Sequence, residues 1–165
     1  MYSTFRPSTQ KMTKTSRRND FSSFIDKLLQ HYEGHQGSDI QVNSLALDNH
    51  FEKRRLYDLL NVLAACDICS KYDTHTYKWN TILNIHRTVE KIATDFETKA
   101  LSGTIEDIFR LPDSPSIGLI THKFIGTFLF FNMKIINIRD VAMLMAIDQC
   151  HFKPILRRLY LVAYI

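Results

Sequence analysis

Adjacent arginines at 54 and 55 open the segment Phe51-Glu52-Lys53-Arg54-Arg55-Leu56-Tyr57-Asp58-Leu59-Leu60-Asn61-Val62-Leu63, in which charge and apolar surface are sorted by helical spacing. Arginine carries a planar fork of N–H donors that bridges O6 and N7 of guanine. Paired arginines at the head of a helix therefore supply the chemistry of base reading in a major groove. Leu56, Leu59, Leu60 and Leu63 recur at the spacing of a buried stripe, so the helix has a face with which to sit on a domain. Lys53 precedes the arginines as a further cation, a candidate for the DNA backbone. The same pattern also fits an ordinary surface helix with solvated arginines, and the neighbouring elements have to decide.

Those neighbours favour groove insertion. Ile68-Cys69-Ser70-Lys71-Tyr72 and Thr76-Tyr77-Lys78-Trp79 are alternating, β-rich runs joined by the polar Asp73-Thr74-His75, the pattern of a hairpin. Lys71 would place a cation on that hairpin for the DNA backbone. Upstream, Phe21, Phe24, Ile25, Leu28, Leu29 and Tyr32 recur at helical spacing, and Gly34 and Gly37 follow as stop signals. Ile40-Gln41-Val42 reads as a short strand and Leu45-Ala46-Leu47 as a brief apolar turn. Helix, strand, helix, helix, hairpin is the order of a winged helix, mainly α with a small β-wing.

The residues Arg54-Arg55-Leu56-Tyr57-Asp58, then Asn61-Val62-Leu63, with a hairpin ending in Trp79, resemble the signature of the E2-promoter-binding factor (E-two-F/DP) family of winged-helix transcription factors. The resemblance covers about residues 20–80. It implies that Arg54 and Arg55 read guanines in a GC-rich core and that Tyr57 sits near the phosphates. Asp58 would orient an arginine, because a carboxylate facing phosphate is repelled. It further implies duplex DNA as the partner, a nuclear location and promoters of cell-cycle-type genes.

Parts of the pattern recur. Ser116-Ile117-Gly118-Leu119-Ile120-Thr121-His122-Lys123-Phe124 is similar to the family's first-helix opening, and Ile135-Ile136-Asn137 reads as a short strand. Val141, Ala142, Leu144, Met145 and Ile147 suit a second helix, and Arg157-Arg158-Leu159-Tyr160 repeats Arg54-Arg55-Leu56-Tyr57. The chain thus resembles the atypical family members with two tandem DNA-binding domains, which by that resemblance bind without a separate DP subunit. Arg157, Arg158 and Tyr160 are the second unit's candidates. The copy departs from the motif: Leu161 replaces Asp58 and Tyr164 replaces Asn61, and Pro154 would fall at the helix start. A wing after Ile165 would need roughly 20 residues more, so this unit is expected to be divergent and truncated, its apolar face covered by the first domain or by a partner.

The expected organisation is a basic flexible arm at 1–19, a winged helix at 20–80, a linker with a short helix at 81–115, and an incomplete second winged helix at 116–165. Net charge is only +4, but residues 1–18 contain Arg6, Lys11, Lys14, Arg17 and Arg18 and no acid. Such a stretch is a solvated tail, an arm releasing counterions from phosphate or entering a minor groove, or a dispersed import signal. Lys14, Arg17 and Arg18 lie nearest the domain. In the linker, Ile82, Ile85, Val89, Ile92 and Phe96 follow three- and four-residue steps, fitting either a helix packed on a domain or a self-association seam.

Other chemistry finds less support. Cys66-Asp67-Ile68-Cys69 has CxxC spacing but no second pair, so no metal or cofactor is expected. The odd total of three cysteines suits reduced thiols. Leu119 to Met133 is apolar but interrupted by His122 and Lys123 and too short for a spanning helix. No nucleophile–base pair or phosphate-cradling glycine loop points to catalysis or to a small-molecule substrate. The leading expectation is a sequence-specific DNA-binding transcription factor acting as an intramolecular pseudo-dimer. A single domain requiring a DP-like partner, and an interaction or dominant-negative module, are the alternatives. The absence of a recognisable activation or retinoblastoma-binding tail would leave repression by site occupancy as the simplest output.

Overall fold

The computed structural model describes residues 14–146 and 149–164. Helix α1 runs from Lys14 to Glu33 and is followed by strand β1 (Asp39–Gln41), α2 (Val42–Asn49) and α3 (Lys53–Ala65). Strands β2 (Cys69–Lys71) and β3 (Thr76–Trp79) complete a three-stranded antiparallel sheet in the order β1-β3-β2. The helix–strand–helix–helix–hairpin order expected from the sequence is present.

Register follows side-chain character. Ile40 pairs with Tyr77 between β1 and β3, and Cys69 pairs with Trp79 between β2 and β3, putting the apolar side chains on the core side. Gly37, at φ +80°, makes the turn out of α1 that a residue with a Cβ would resist. Its N–H donates to the Trp79 carbonyl at 2.7 Å, starting the ladder just before β1. Leu56, Leu59, Leu60 and Leu63 are fully buried against Phe21, Ile25 and Leu28 of α1 and against Tyr77 and Trp79. The leucine stripe of α3 thus fixes which side of that helix is left for other work.

Beyond the sheet come α4 (Asn84–Ala100), α5 (Ile105–Phe109), α6 (Ile117–Phe131), α7 (Ile138–Met145) and α8 (Gln149–Tyr164). Of the apolar steps in the linker, Ile85, Val89, Ile92 and Phe96 belong to α4, while Ile82 lies in the turn before it. Its Ile92 and Phe96 are buried with Ile108 and Phe109 of α5, and Ile125 and Phe130 of α6 pack on the same cluster. The Phe96 ring lies over Gly126, where an added Cβ would come within 2.2 Å of its Cζ. Thr104 and Asp107 form a reciprocal cap on α5, while Ser116 and Asn137 cap α6 and α7 through their side chains. Each satisfies helix N–H groups that have no intrahelical partner.

Four local expectations are corrected. Lys14, Arg17 and Arg18 lie on the backbone of α1 and not in an irregular arm; no Gly or Pro interrupts 14–33, so the helix nucleated by the apolar residues propagates backward at little cost. Arg6 and Lys11 lie outside the described residues. Ile135-Ile136-Asn137 is not a strand: no second strand lies beside it among the described residues, and an isolated strand has nothing to hold it. Pro154 stands inside α8, which begins at Gln149. The linker helix is 17 residues long and not short. The expected second helix is α7, ending at Met145; Ile147 lies outside the described residues.

The two halves share their interior. Val62 of α3 is buried, but in the core formed by Leu111, Ile120, Phe124, Val141, Met145, Ile155 and Leu159 of the second half. Leu161, at the position that departs from the aspartate of the motif, packs against both cores. The helix α6 lies along the back of α3, and a Cβ added at Gly118 would meet Ala65 at an ordinary van der Waals distance of 3.6 Å. An imidazole nitrogen of His122 is 2.7 Å from the Ala65 carbonyl oxygen, satisfying an acceptor at the end of α3.

Candidate nucleic-acid interface

With its leucines turned into the first core and Val62 turned toward α6, α3 leaves one face for solvent. Lys53 and Arg54 are exposed on the first turn, and Asp58 is half-buried one turn later. Arg55 behaves differently from its neighbour. It is half-buried, with its guanidinium carbon 3.9 Å from the centre of the Phe21 ring. Burial lowers its pKa, Glu52 opposes that, and the nearby positive charge of Arg157 adds to it. A guanidinium stays charged through such a shift. The fold therefore places one flexible cation and one stacked cation at the head of α3.

The hairpin is tied to the same helix. Tyr57 Oη lies 2.5 Å from Nδ1 of His75 in the β2–β3 turn, and Tyr77 Oη donates to Oδ1 of Asn61 at 2.8 Å. The turn is closed by Asp73, whose Oδ1 accepts from the N–H groups of His75 at 2.7 Å and Thr76 at 2.8 Å. The His75 N–H leads the causes that hold the Asp73 carboxyl below its ordinary range. Lys71 is exposed on β2, and Lys78 on β3 sits with Nζ 4.5 Å from the Tyr72 ring centre. Wing and helix are thus joined by two hydrogen bonds between side chains at different heights along α3, and the Cys69 thiol adds a third link by donating to the Leu60 carbonyl at 3.5 Å.

Among the described residues, Asp58 has no ion-pair or hydrogen-bond partner, so no arginine is held by it here. In the second half, Nη1 of Arg158 donates to the Pro115 carbonyl at 2.9 Å and pins α8 to the segment before α6. Arg157 is left near Arg55, and Tyr160 is 54% exposed. Phe21 as a platform for Arg55, and His75 as a partner for Tyr57, were not picked out from the sequence. Phe21 read only as a core position and His75 only as part of a polar turn, because stacking and cross-element pairing leave no local pattern.

Cys66 and Cys69 are buried free thiols, with burial pushing their pKa values up to about 11 and about 12. Among the described residues no group of three His, Cys, Asp or Glu side chains could hold a metal ion. No helix among them is long and apolar enough to cross a membrane.

A helix backed by its own leucine stripe, with a hairpin bonded to its flank, is the reading head of a winged-helix domain. Residues 17–81 match the family model of the E-two-F/DP family winged-helix DNA-binding domain. Those residues thus carry a winged-helix DNA-binding domain of the E-two-F/DP type, the domain of a family of DNA-binding transcription factors. No curated protein matches the chain.

Proposed function

We propose that the protein is a sequence-specific transcription factor that reads a GC-containing duplex element with the N-terminal turns of α3. The observation that carries this reading is the exposed Arg54 beside the stacked Arg55, on a helix locked to its wing through Tyr57 and His75. Arg54 and Arg55 contact guanine edges; Lys53, Lys71 and the α1 residues Lys14, Arg17 and Arg18 serve the phosphates. Base contacts specify and phosphate contacts position. The nucleus is the setting for such a protein, with promoters of cell-cycle-type genes as its targets by family likeness.

The second half acts as the on-chain counterpart of a dimer partner. Supporting this are the packing of α6 along α3, the contact of Leu161 with both cores, and the proximity of Arg157 to Arg55. Tethering makes a second docking event intramolecular, so even a weak second contact adds affinity. A DP-like partner is the competing arrangement.

Selection of binding sites from random duplexes by the purified chain, followed by titration of the recovered site, tests both points. A specific complex with the chain alone is expected. Arg54→Ala should lose about 1–3 kcal/mol on that site and blur preference at one base pair. Equal loss on recovered and scrambled DNA would assign Arg54 to phosphate instead. A complex that forms only after a DP-like protein is added would replace the on-chain arrangement by the heterodimer.

A further inference from the structure

The chain has four prolines, and the residues before them are Arg6, Leu111, Ser114 and Lys153. Ser114-Pro115 is thus its only Ser-Pro or Thr-Pro step. It lies between α5 and α6, in a segment held at both ends. On one side Leu111 is buried and its N–H donates to the Met145 carbonyl at 3.0 Å. On the other the Ser116 hydroxyl accepts from the Leu119 N–H, and Ile117 packs on the second core. Between these anchors Pro112, Asp113 and Ser114 are exposed, and Ser114 is in neither helix nor strand. Among the described residues, nothing holds its hydroxyl. The following proline biases the serine toward extended backbone and removes the next N–H. That is the form in which a hydroxyl enters the cleft of a kinase that selects proline after its target.

A receptor for the product stands beside it. Nη1 of Arg158 donates to the carbonyl of Pro115, the next residue, at 2.9 Å. A guanidinium is a fork of five N–H donors whose geometry matches phosphate. The only acid adjacent in sequence is Asp113, which opposes a further negative charge; the guanidinium offsets it.

We infer that Ser114 is a phosphorylation site for a proline-directed protein kinase and that Arg158 receives the phosphate. The terminal phosphoryl group of ATP passes to the serine Oγ. The Oγ–P bond forms as the bond to the leaving ADP breaks, and the hydroxyl proton goes to the kinase's base. Phosphoserine carries nearly two negative charges and three acceptor oxygens. Paired with Arg158, it holds α8 by a charge-assisted bond, roughly twice as strong as the bond to a neutral carbonyl. Leu161 of α8 packs against both cores, so the modification tightens the seat of the second half on the first. This inference does not rest on the DNA-binding reading, and the two can fail separately.

Incubating the whole chain with ATP and a proline-directed kinase, then mapping the product by mass spectrometry, tests the site. One phosphate on Ser114 is expected, and none at position 114 in Ser114→Ala or Pro115→Ala. Phosphorus NMR should show its second ionisation below the ordinary value of about 6, and the thermal midpoint should rise by about 2–4 °C. In Arg158→Gln, its fold verified by melting, phosphate should still enter but ionise at the ordinary value, with the rise in midpoint lost. Arg158→Lys keeps the charge without the fork and should restore part of both effects. The inference is overturned if Ser114 stays unmodified under conditions that fully phosphorylate a control Ser-Pro peptide. It is equally overturned if the phosphate ionises alike in the parent chain and in Arg158→Gln.

Discussion

The guanidinium of Arg55 rests on the Phe21 ring at 3.9 Å, whereas the adjacent Arg54 stands exposed. One helix turn therefore carries two arginines with different freedom: one is ordered by α1 before any ligand arrives, the other retains its rotamers. Ordering a long side chain on binding costs about 0.5–1.5 kcal/mol, so the stacked arginine has less to lose. Phe21→Leu keeps an apolar filler and removes the ring face. It should weaken DNA binding by roughly 0.5–1 kcal/mol, and add nothing further in an Arg55→Ala background. Equilibrium anisotropy at fixed salt measures both; additive losses would mean the ring does not act through Arg55.

Tyr57 and His75 join helix to wing, and their coupling is measurable. A double-mutant cycle of Tyr57→Phe and His75→Ala, read by urea unfolding, should give an interaction of about 0.5–1.5 kcal/mol. The same cycle on DNA affinity should show that loosening the wing weakens binding even where neither side chain meets a base. Zero coupling in both assays would reduce the contact to surface coincidence.

The approach of α4 to α6 depends on the absence of a side chain at 126. Gly126→Ala drives a Cβ into the Phe96 ring and should destabilise the chain by about 1–3 kcal/mol, as overpacked sites do. Phe96→Leu alone should also destabilise, by lost burial. Combining the two should cost less than their sum, since leucine vacates part of the space the ring occupies. Strict additivity in thermal unfolding would contradict the packing described.

Three buried acids set the alkaline limit of stability. Cys66, Cys69 and Tyr77 are raised to about 11, about 12 and about 12, in each case chiefly by burial. Their folded pKa values exceed those of the unfolded chain, so the folded state holds protons that the unfolded state releases. Stability is therefore unaffected below about pH 8.5 and falls as pH rises toward 12. Unfolding free energy measured at intervals from pH 7 to 11 should decline only above about 8.5, and Cys69→Ala should flatten the decline. In the native state at pH 8 both thiols should resist alkylation and react only with opening of the core.

Much of the first half was legible because its elements announce themselves locally. The leucine stripe of α3, the alternation in β2 and β3 and the glycines after α1 are read from neighbouring residues, and the family motif lies within them. Docking between helices leaves no such trace. Val62 sits in the motif beside Leu63, yet the two face different cores. Leu161 looked like a damaged copy of an aspartate; in the fold it is an apolar bridge. The strand expected at 135–137 failed for a different reason: propensity supplies one strand, but pairing needs two.

Val62 has a further consequence. It is carried by α3, yet it is anchored in the core of the adjoining second half. The helix cannot pivot on its own leucines without dragging a residue out of a foreign interior. Movement of α3 is thereby tied to the packing of α6, α7 and α8, so the pose of the helix is set by both cores together.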